Sequence, residues 1–266
     1  MSKHPYSIVL THDIDHLAMR NVPFFSKAAG SHLKRCILSN FTRLLRKDIG
    51  GFTYLRSVLS GLTFPLVKLR IFPDPMENAL LRILKIEEEY GVRSTFYFIP
   101  FPGTPGFVSP GEPAKAHRGT RYDIKNYEAL LKHMSGNGWE VGIHGINAHI
   151  SVKDAAKELQ VFKDMLPKQD KWGVRMHWLY TSGSLYNNLK EAGYYYDTTF
   201  GSNDEAGFME NRYHPFERDG LKVLPMNIQD GTLLAHWRQH LSVDKAWWKV
   251  RQVLTEAREH KAIVTV

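Results

Sequence analysis

"LTHDIDH", residues 10–16, sets two carboxylates and two imidazoles against the apolar run Ile8-Val9-Leu10. Read as a strand, the stretch turns Thr11, Asp13 and Asp15 to one side and His12, Ile14 and His16 to the other. The two carboxylates then stand one pleat repeat apart, roughly 7 Å. Like charges that close at a buried strand end require a positive partner beside them.

Outward from that stretch the chain alternates strand and helix. After a first strand at about 6–12 and a basic insertion, the spacing of "NALLRILKIEEEYG" (78–91) predicts a helix with a glycine at its end. "VRSTFYFIP" (92–100) reads as a strand stopped by proline, followed by a Pro/Gly loop from Phe101 to about Thr120. A helix around "NYEALLKHMSGNG", the strand "WEVGIHG" (139–145), a helix at 152–166, and "GVRMHWLY" (173–180) continue the pattern. A helix from Ser184, "YYYDTTF" (194–200), "KVLPMNI" (222–228), a long helix near 244–260 and "AIVTV" complete it. Repeated strand-helix units predict a parallel sheet, open or closed into a barrel, with its chemistry at the carboxyl ends of the strands. The polar residues obey that rule. Asp13 and Asp15 follow the first strand, His144 ends the third, Arg175 and His177 lie in the fourth, Asp197 closes the fifth and Asp230 follows the sixth.

With 266 residues, 43% of them hydrophobic, the chain can bury a large core and is read as one domain, 1–266, carrying the insertion at 16–75. Its one cysteine, Cys36, excludes an internal disulfide and a Cys-rich zinc site, and fits a reducing compartment. Neither a secretion signal nor an apolar run of membrane-spanning length is present in the chain as it stands, so a cytoplasmic location is expected. The charge is concentrated: residues 27–72 hold nine Lys or Arg against the single acid Asp48, a net +8 that equals that of the whole chain. Leu33, Ile37, Phe41, Leu44 and Leu45 recur at helical spacing there and describe a basic amphipathic helix. It is either a solvated cationic helix packed on the domain or a surface for membrane or an acidic substrate; no nucleic-acid motif accompanies the charge.

A second cluster is "HGINAH", with His144 and His149 five residues apart. Neither a helix nor a strand lets both reach one ion, but a loop at a strand end does, and Gly145 permits one. Two histidines and a carboxylate make an open metal site with room for water, whose proton a second carboxylate can take.

"LTHDIDH", "YGVRSTFYFIP", "WEVGIHG", "GVRMHWLY" and "AGYYYDTTFG" resemble, in order, successive motifs of the polysaccharide deacetylases, the NodB-homology group of carbohydrate esterase family 4. The resemblance covers most of the chain outside 16–75 and is nearest to a branch beginning Thr-His-Asp-x-Asp. It implies a distorted (β/α) barrel of about seven parallel strands, with the basic helical insertion after the first. It further implies removal of acetyl groups from N-acetylated sugars with zinc or another divalent ion. Carried over by position, Asp13 resembles the catalytic base, Asp15 and His144 resemble metal ligands, and Arg175 resembles the arginine that pairs with the base.

Two departures stand out. The family spaces its histidine pair i, i+4, whereas here Ala148 occupies that position and His149 follows it as the candidate third ligand. The family's general-acid histidine follows the last strand in a Leu-x-His motif, which this sequence lacks up to Val266; His177 and His214 are the imidazoles that could replace it. The expected function is therefore a metal-dependent sugar deacetylase of bacterial surface-polysaccharide synthesis (O-antigen or capsule), at the cytoplasmic face of the inner membrane. The alternatives are an amidase or other C–N hydrolase on a non-sugar substrate, and a glycan-binding relative without turnover.

Overall fold

The computed structural model describes residues 5–113 and 119–266. Residues 1–4, residues 114–118 of the expected Pro/Gly loop and the side chains of Lys27 and Ala28 lie outside the described residues. The chain divides into two compact units, Met1–Asp15 with Arg93–Val266, and His16–Val92.

The first unit is mixed α/β and is built on a mostly parallel seven-stranded sheet. Its strands are β1 (Ser7–Val9), β2 (Thr11–Ile14), β3 (Thr95–Phe98), the short hairpin β4 (Phe107–Ser109) and β5 (Glu112–Pro113), β6 (Glu140–Gly145), β7 (Gly173–Met176), β8 (Tyr196–Asp197), β9 (Phe216–Arg218), β10 (Leu221–Val223) and β11 (Ile263–Thr265). The order in the sheet is β2-β3-β6-β7-β8-β10-β9, parallel throughout except for the antiparallel β9–β10 pair. A parallel strand covered on both faces is apolar at every position rather than at alternate ones. Accordingly Phe96, Phe98, Val141, Ile143 and Val174 are all fully buried. Helices Glu128–Gly136, Val152–Met165, Leu185–Ala192 and Val243–His260 supply the crossovers and their covering faces. Beside the sheet, β1 pairs in parallel with β11, and the Asn227 and Ile228 amides donate to the Thr265 carbonyl.

Two glycines shape the interior. Tyr97 from β3 and Tyr196 from β8 meet hydroxyl to hydroxyl at 3.0 Å, and Tyr196 donates to Glu140 Oε1 at 3.0 Å. A Cβ on Gly142 would stand 2.5 Å from the Tyr97 ring, and one on Gly173 would collide with the Tyr196 ring. Both positions in the middle strands must stay bare for the rings to fit.

Where the strands differ from the sequence reading, side-chain hydrogen bonding explains it. The expected strand 173–180 ends at Met176, and Trp178 and Leu179 turn with φ of 58° and 53°. Thus His177 lies in a turn after β7, not within the strand. The expected strand 194–200 contracts to β8 because Asp197 accepts from the Thr199 amide at 2.8 Å and hydroxyl at 2.5 Å, a local bond that competes with the ladder.

The second unit is helical: Lys27–Lys34, a π turn Arg35–Ser39, Asn40–Leu45, Gly51–Leu62, Phe64–Lys68 and Pro75–Glu89. Buried Asp74 caps the last of these on the Met76 amide and also accepts from the Met19 and Arg20 amides, while Lys68 Nζ donates to the Arg20 and Val22 carbonyls at 2.8 Å each. Met19, Val22, Ala29, Phe64 and Val67 form a small core.

Gly142→Ala is expected to destabilise the protein by about 1–3 kcal/mol, the usual cost of forcing volume into a packed interior. Urea denaturation with an unchanged midpoint would show that the Tyr97 ring yields freely.

Candidate active site

Five of the residues singled out by the sequence, Asp13, Asp15, His144, Arg175 and His177, converge at the carboxyl ends of β2, β6 and β7. Asp13 Oδ1 accepts from Arg175 Nη1 at 2.8 Å. Arg175 is 1% exposed, and its remaining donors reach the Thr198 carbonyl at 3.4 Å and hydroxyl at 3.2 Å, with the guanidinium 4.7 Å above the Tyr97 ring. A buried guanidinium needs such hydrogen-bond partners as well as its counter-charge, and here Nε, Nη1 and Nη2 each find one. Asp13 Oδ2 faces the other way, 3.8 Å from His144 Nε2.

His144 presents a single nitrogen to the site. Its Nδ1 donates to the Arg175 carbonyl at 2.9 Å, which leaves Nε2 turned toward Asp15. Asp15 Oδ1 lies 3.4 Å from His144 Nε2 and 3.4 Å from His177 Nε2. The ligating atoms of Asp15, His144 and His177 all fall within 4.8 Å of one another. A spacing of 3.4 Å is long for a hydrogen bond, but three ligands each about 2.0–2.1 Å from a tetrahedral ion stand roughly 3.4 Å apart. One oxygen and two imidazole nitrogens also suit zinc and its borderline neighbours.

The electrostatics follow from these contacts. The close packing around Asp15 pushes its pKa up, but His144 and His177 outweigh that and hold it well below the usual carboxylate range. Burial of His144 opposes its charge, yet Asp13 and Asp15 raise its pKa above the ordinary value. Asp197 is fully buried, and desolvation raises its pKa to about 6 against the pull of Thr199 and Arg175.

The other expected residues are placed differently. His149, the third ligand in the sequence reading, is not in the Asp15–His144–His177 group. Its ring is buried and stacks on Tyr180 with centroids 6.1 Å apart, and its carbonyl accepts from Ser182 and Asn188. The extra residue after Ala148 lies in a turn already fixed at its start, because buried Glu158 takes the Ile146 and Asn147 amides at 2.6–3.2 Å. His177, expected among the catalytic groups, occupies the third corner instead. His214 is exposed ahead of β9 and is not among the residues lining the cleft. Asp230 lines it, at the start of the helix Asp230–Leu234.

Sequence reasoning missed the supports. The Tyr122 hydroxyl accepts from the Ile99 amide and donates to the Ile14 carbonyl, both at 2.7 Å, and Thr120 donates to the Asp15 carbonyl at 2.8 Å. These bonds fix the backbone that carries Asp13 and Asp15. Nothing in the local pattern marks Tyr122 or Glu158, because their partners lie far away in the chain. The cleft above the cluster has a volume of about 840 Å³ and is walled by Trp178, Tyr180, Asn203, Gln229, Trp237 and Arg238.

No protein family model matches the chain, and no curated protein matches it. Among solved structures, a Mycobacterium smegmatis protein provisionally assigned as a polysaccharide deacetylase is similar with a TM-score of 0.52 and 17% identity, across 100% of this chain and 77% of that one. The chain has the polysaccharide-deacetylase fold. Puue allantoinase shares that fold with a TM-score of 0.51 and 10% identity, across 100% of this chain and 80% of its own. The two names differ in substrate, so the deacetylase fold does not by itself choose one.

His177→Ala is expected to weaken zinc binding by about a hundredfold or more, whereas His149→Ala leaves it nearly unchanged, as read by titration against a competing chelator. The reverse order would return His149 to the ligand set. Asp197 makes a separate, pH-dependent prediction. Its folded pKa is raised from 3.8 to about 6, so its protonated form favours folding. That contribution is complete below about pH 4 and is lost as the pH rises through 6. By about 1.4 kcal/mol per unit, wild type should lose roughly 3 kcal/mol relative to Asp197→Asn between pH 4 and 8 in denaturant titrations.

Proposed function

We propose that the chain is a divalent-metal-dependent hydrolase that removes acetyl groups from an N-acetylated sugar. One observation carries the reading: the Arg175-bound Asp13 stands beside the Asp15–His144–His177 donor set at the foot of an open cleft. On this reading Asp15, His144 and His177 hold the ion, which when bound lowers the pKa of a water and polarises the acyl oxygen.

The chain's own residues supply the remaining steps. Arg175 pairs with Asp13 and commits Oδ1, so Oδ2 is the oxygen that takes the water's proton. The His144 Nδ1–H bond to the Arg175 carbonyl couples the orientation of the ligand to that of the base's partner. Trp178, Tyr180 and Trp237 offer apolar faces to a sugar ring, and Asn203, Gln229 and Arg238 offer polar groups to its hydroxyls.

The reading extends to the whole chain as a single deacetylase-like domain, with the unit His16–Val92 as an insertion. It also takes the barrel to be closed, a view supported by the β1–β11 pairing and the Asn227 and Ile228 bonds to Thr265. The proposed setting is bacterial surface-polysaccharide synthesis on the cytoplasmic side of the inner membrane. The single cysteine and the cationic segment 27–72 suit it, and no helix among the described residues is long and apolar enough to cross a membrane. The likeness to an allantoinase favours one second reading, hydrolysis of a C–N bond in a small non-sugar substrate.

Acetate release from N-acetylated sugars, screened beside small amides and ureides, separates the two readings. Turnover should require added zinc or another divalent ion. Asp13→Asn should abolish it, by about a hundredfold or more, while leaving metal content near one ion per chain by mass spectrometry. Metal loss in Asp13→Asn, or full activity without the carboxylate, would refute the division of roles.

A further inference from the structure

The helical unit His16–Val92 leaves its apolar side chains in an unusual place. On Gly51–Leu62, Phe52, Leu55, Leu59 and Leu62 are 73%, 55%, 50% and 60% exposed. Their offsets of three, seven and ten residues put them on one helical face. The partner helices repeat the pattern, with Leu38, Phe41 and Leu45 exposed at offsets of three and seven. The two runs form one hairpin: the Phe41 and Tyr54 rings lie 5.8 Å apart, and Asn40 donates to Ser57, which donates to the Cys36 carbonyl. Phe25, ahead of the first helix, is fully exposed.

Basic residues border the same hairpin. Arg43, Arg46 and Lys47 are exposed at its tip, and the Arg56 guanidinium sits 5.7 Å over the Phe52 ring. The only acid between residues 27 and 72 is Asp48, and outside that segment the chain carries no net charge.

We infer that the hairpin Lys27–Leu62 is a docking surface for an anionic lipid bilayer. Solvent-facing Leu and Phe stripes interleaved with Arg and Lys match an interfacial helix, whose apolar face enters the acyl boundary while its cations meet lipid phosphates. A twelve-residue helix is about 18 Å long, too short for a hydrocarbon core of about 30 Å, so the hairpin lies on the membrane rather than through it. A second copy of the chain is a poorer occupant, since a symmetric pairing would set +8 against +8 and the rest of the chain offers no net negative charge to meet it. This inference rests on the hairpin alone and not on the enzymatic reading.

Flotation of the full chain with vesicles tests it. The chain should float with phosphatidylcholine vesicles containing about a third phosphatidylglycerol, and not with pure phosphatidylcholine. Arg43→Glu/Arg46→Glu/Lys47→Glu should lower binding by at least about tenfold. Phe52→Ser/Leu55→Ser/Leu59→Ser, which leaves the charge unchanged, should do the same, whereas Lys125→Glu/Lys153→Glu/Lys168→Glu on the other unit should not. Circular dichroism melts verify that each variant is folded. Absence of binding to anionic vesicles, an equal loss in the Lys125/Lys153/Lys168 variant, or full binding by the serine variant would overturn the inference. So would light scattering that finds a dimer which the serine variant abolishes and which does not bind lipid.

Discussion

The ion pair between Asp13 and Arg175 is the contact on which the architecture turns. An arginine 1% exposed is tolerable only if its charge is met and its nitrogens find acceptors. Asp13 comes from β2, the Thr198 acceptors follow β8, the ring beneath is Tyr97 from β3, and the arginine itself is on β7. One side chain therefore ties four strands together at the end of the sheet where the candidate site lies. Removing Asp13 would leave a buried guanidinium without its counter-charge, so structure and chemistry cannot be tuned apart at this point.

The opposite constraint operates deeper in the sheet. There Gly142 and Gly173 contribute only backbone, and the space they leave is filled by Tyr97 and Tyr196. Tyr97 thus serves both ends, its hydroxyl in the tyrosine pair and its ring face under Arg175. Bulk is moved from the middle strands to β3 and β8, and the aromatic layer in turn sets the height at which the guanidinium rests.

Much of this was legible in the sequence because buried parallel strands announce themselves as unbroken apolar runs. "TFYF" and "EVGIHG" could hardly be helices, and the polar residues at their ends named Asp13, Asp15, His144 and Arg175, which the structure gathers. What was not legible is how the chain bends once a strand has ended. The choice of His177 over His149 in the three-membered group depends on a left-handed turn at Trp178 and on a carboxylate from a distant helix, Glu158, holding the Ile146 and Asn147 amides. Neither leaves a trace in residue spacing. The β9–β10 hairpin is a different kind of omission, since Asp219-Gly220, with φ of 49° and 72°, is a recognisable two-residue turn.

The chain leaves the sheet unit immediately after Asp15 and does not return until Arg93, so a whole helical body hangs from a residue of the candidate site. The hydroxyls of Tyr122 and Thr120, clamped on the carbonyls of Ile14 and Asp15, act there as a strain relief does on a cable. The two carbonyls at the exit are thereby tied to the loop 120–122 as well as to their own strand. The anchor for the carboxylate backbone therefore lies within the sheet unit, on residues 120 and 122, and not in the appendage.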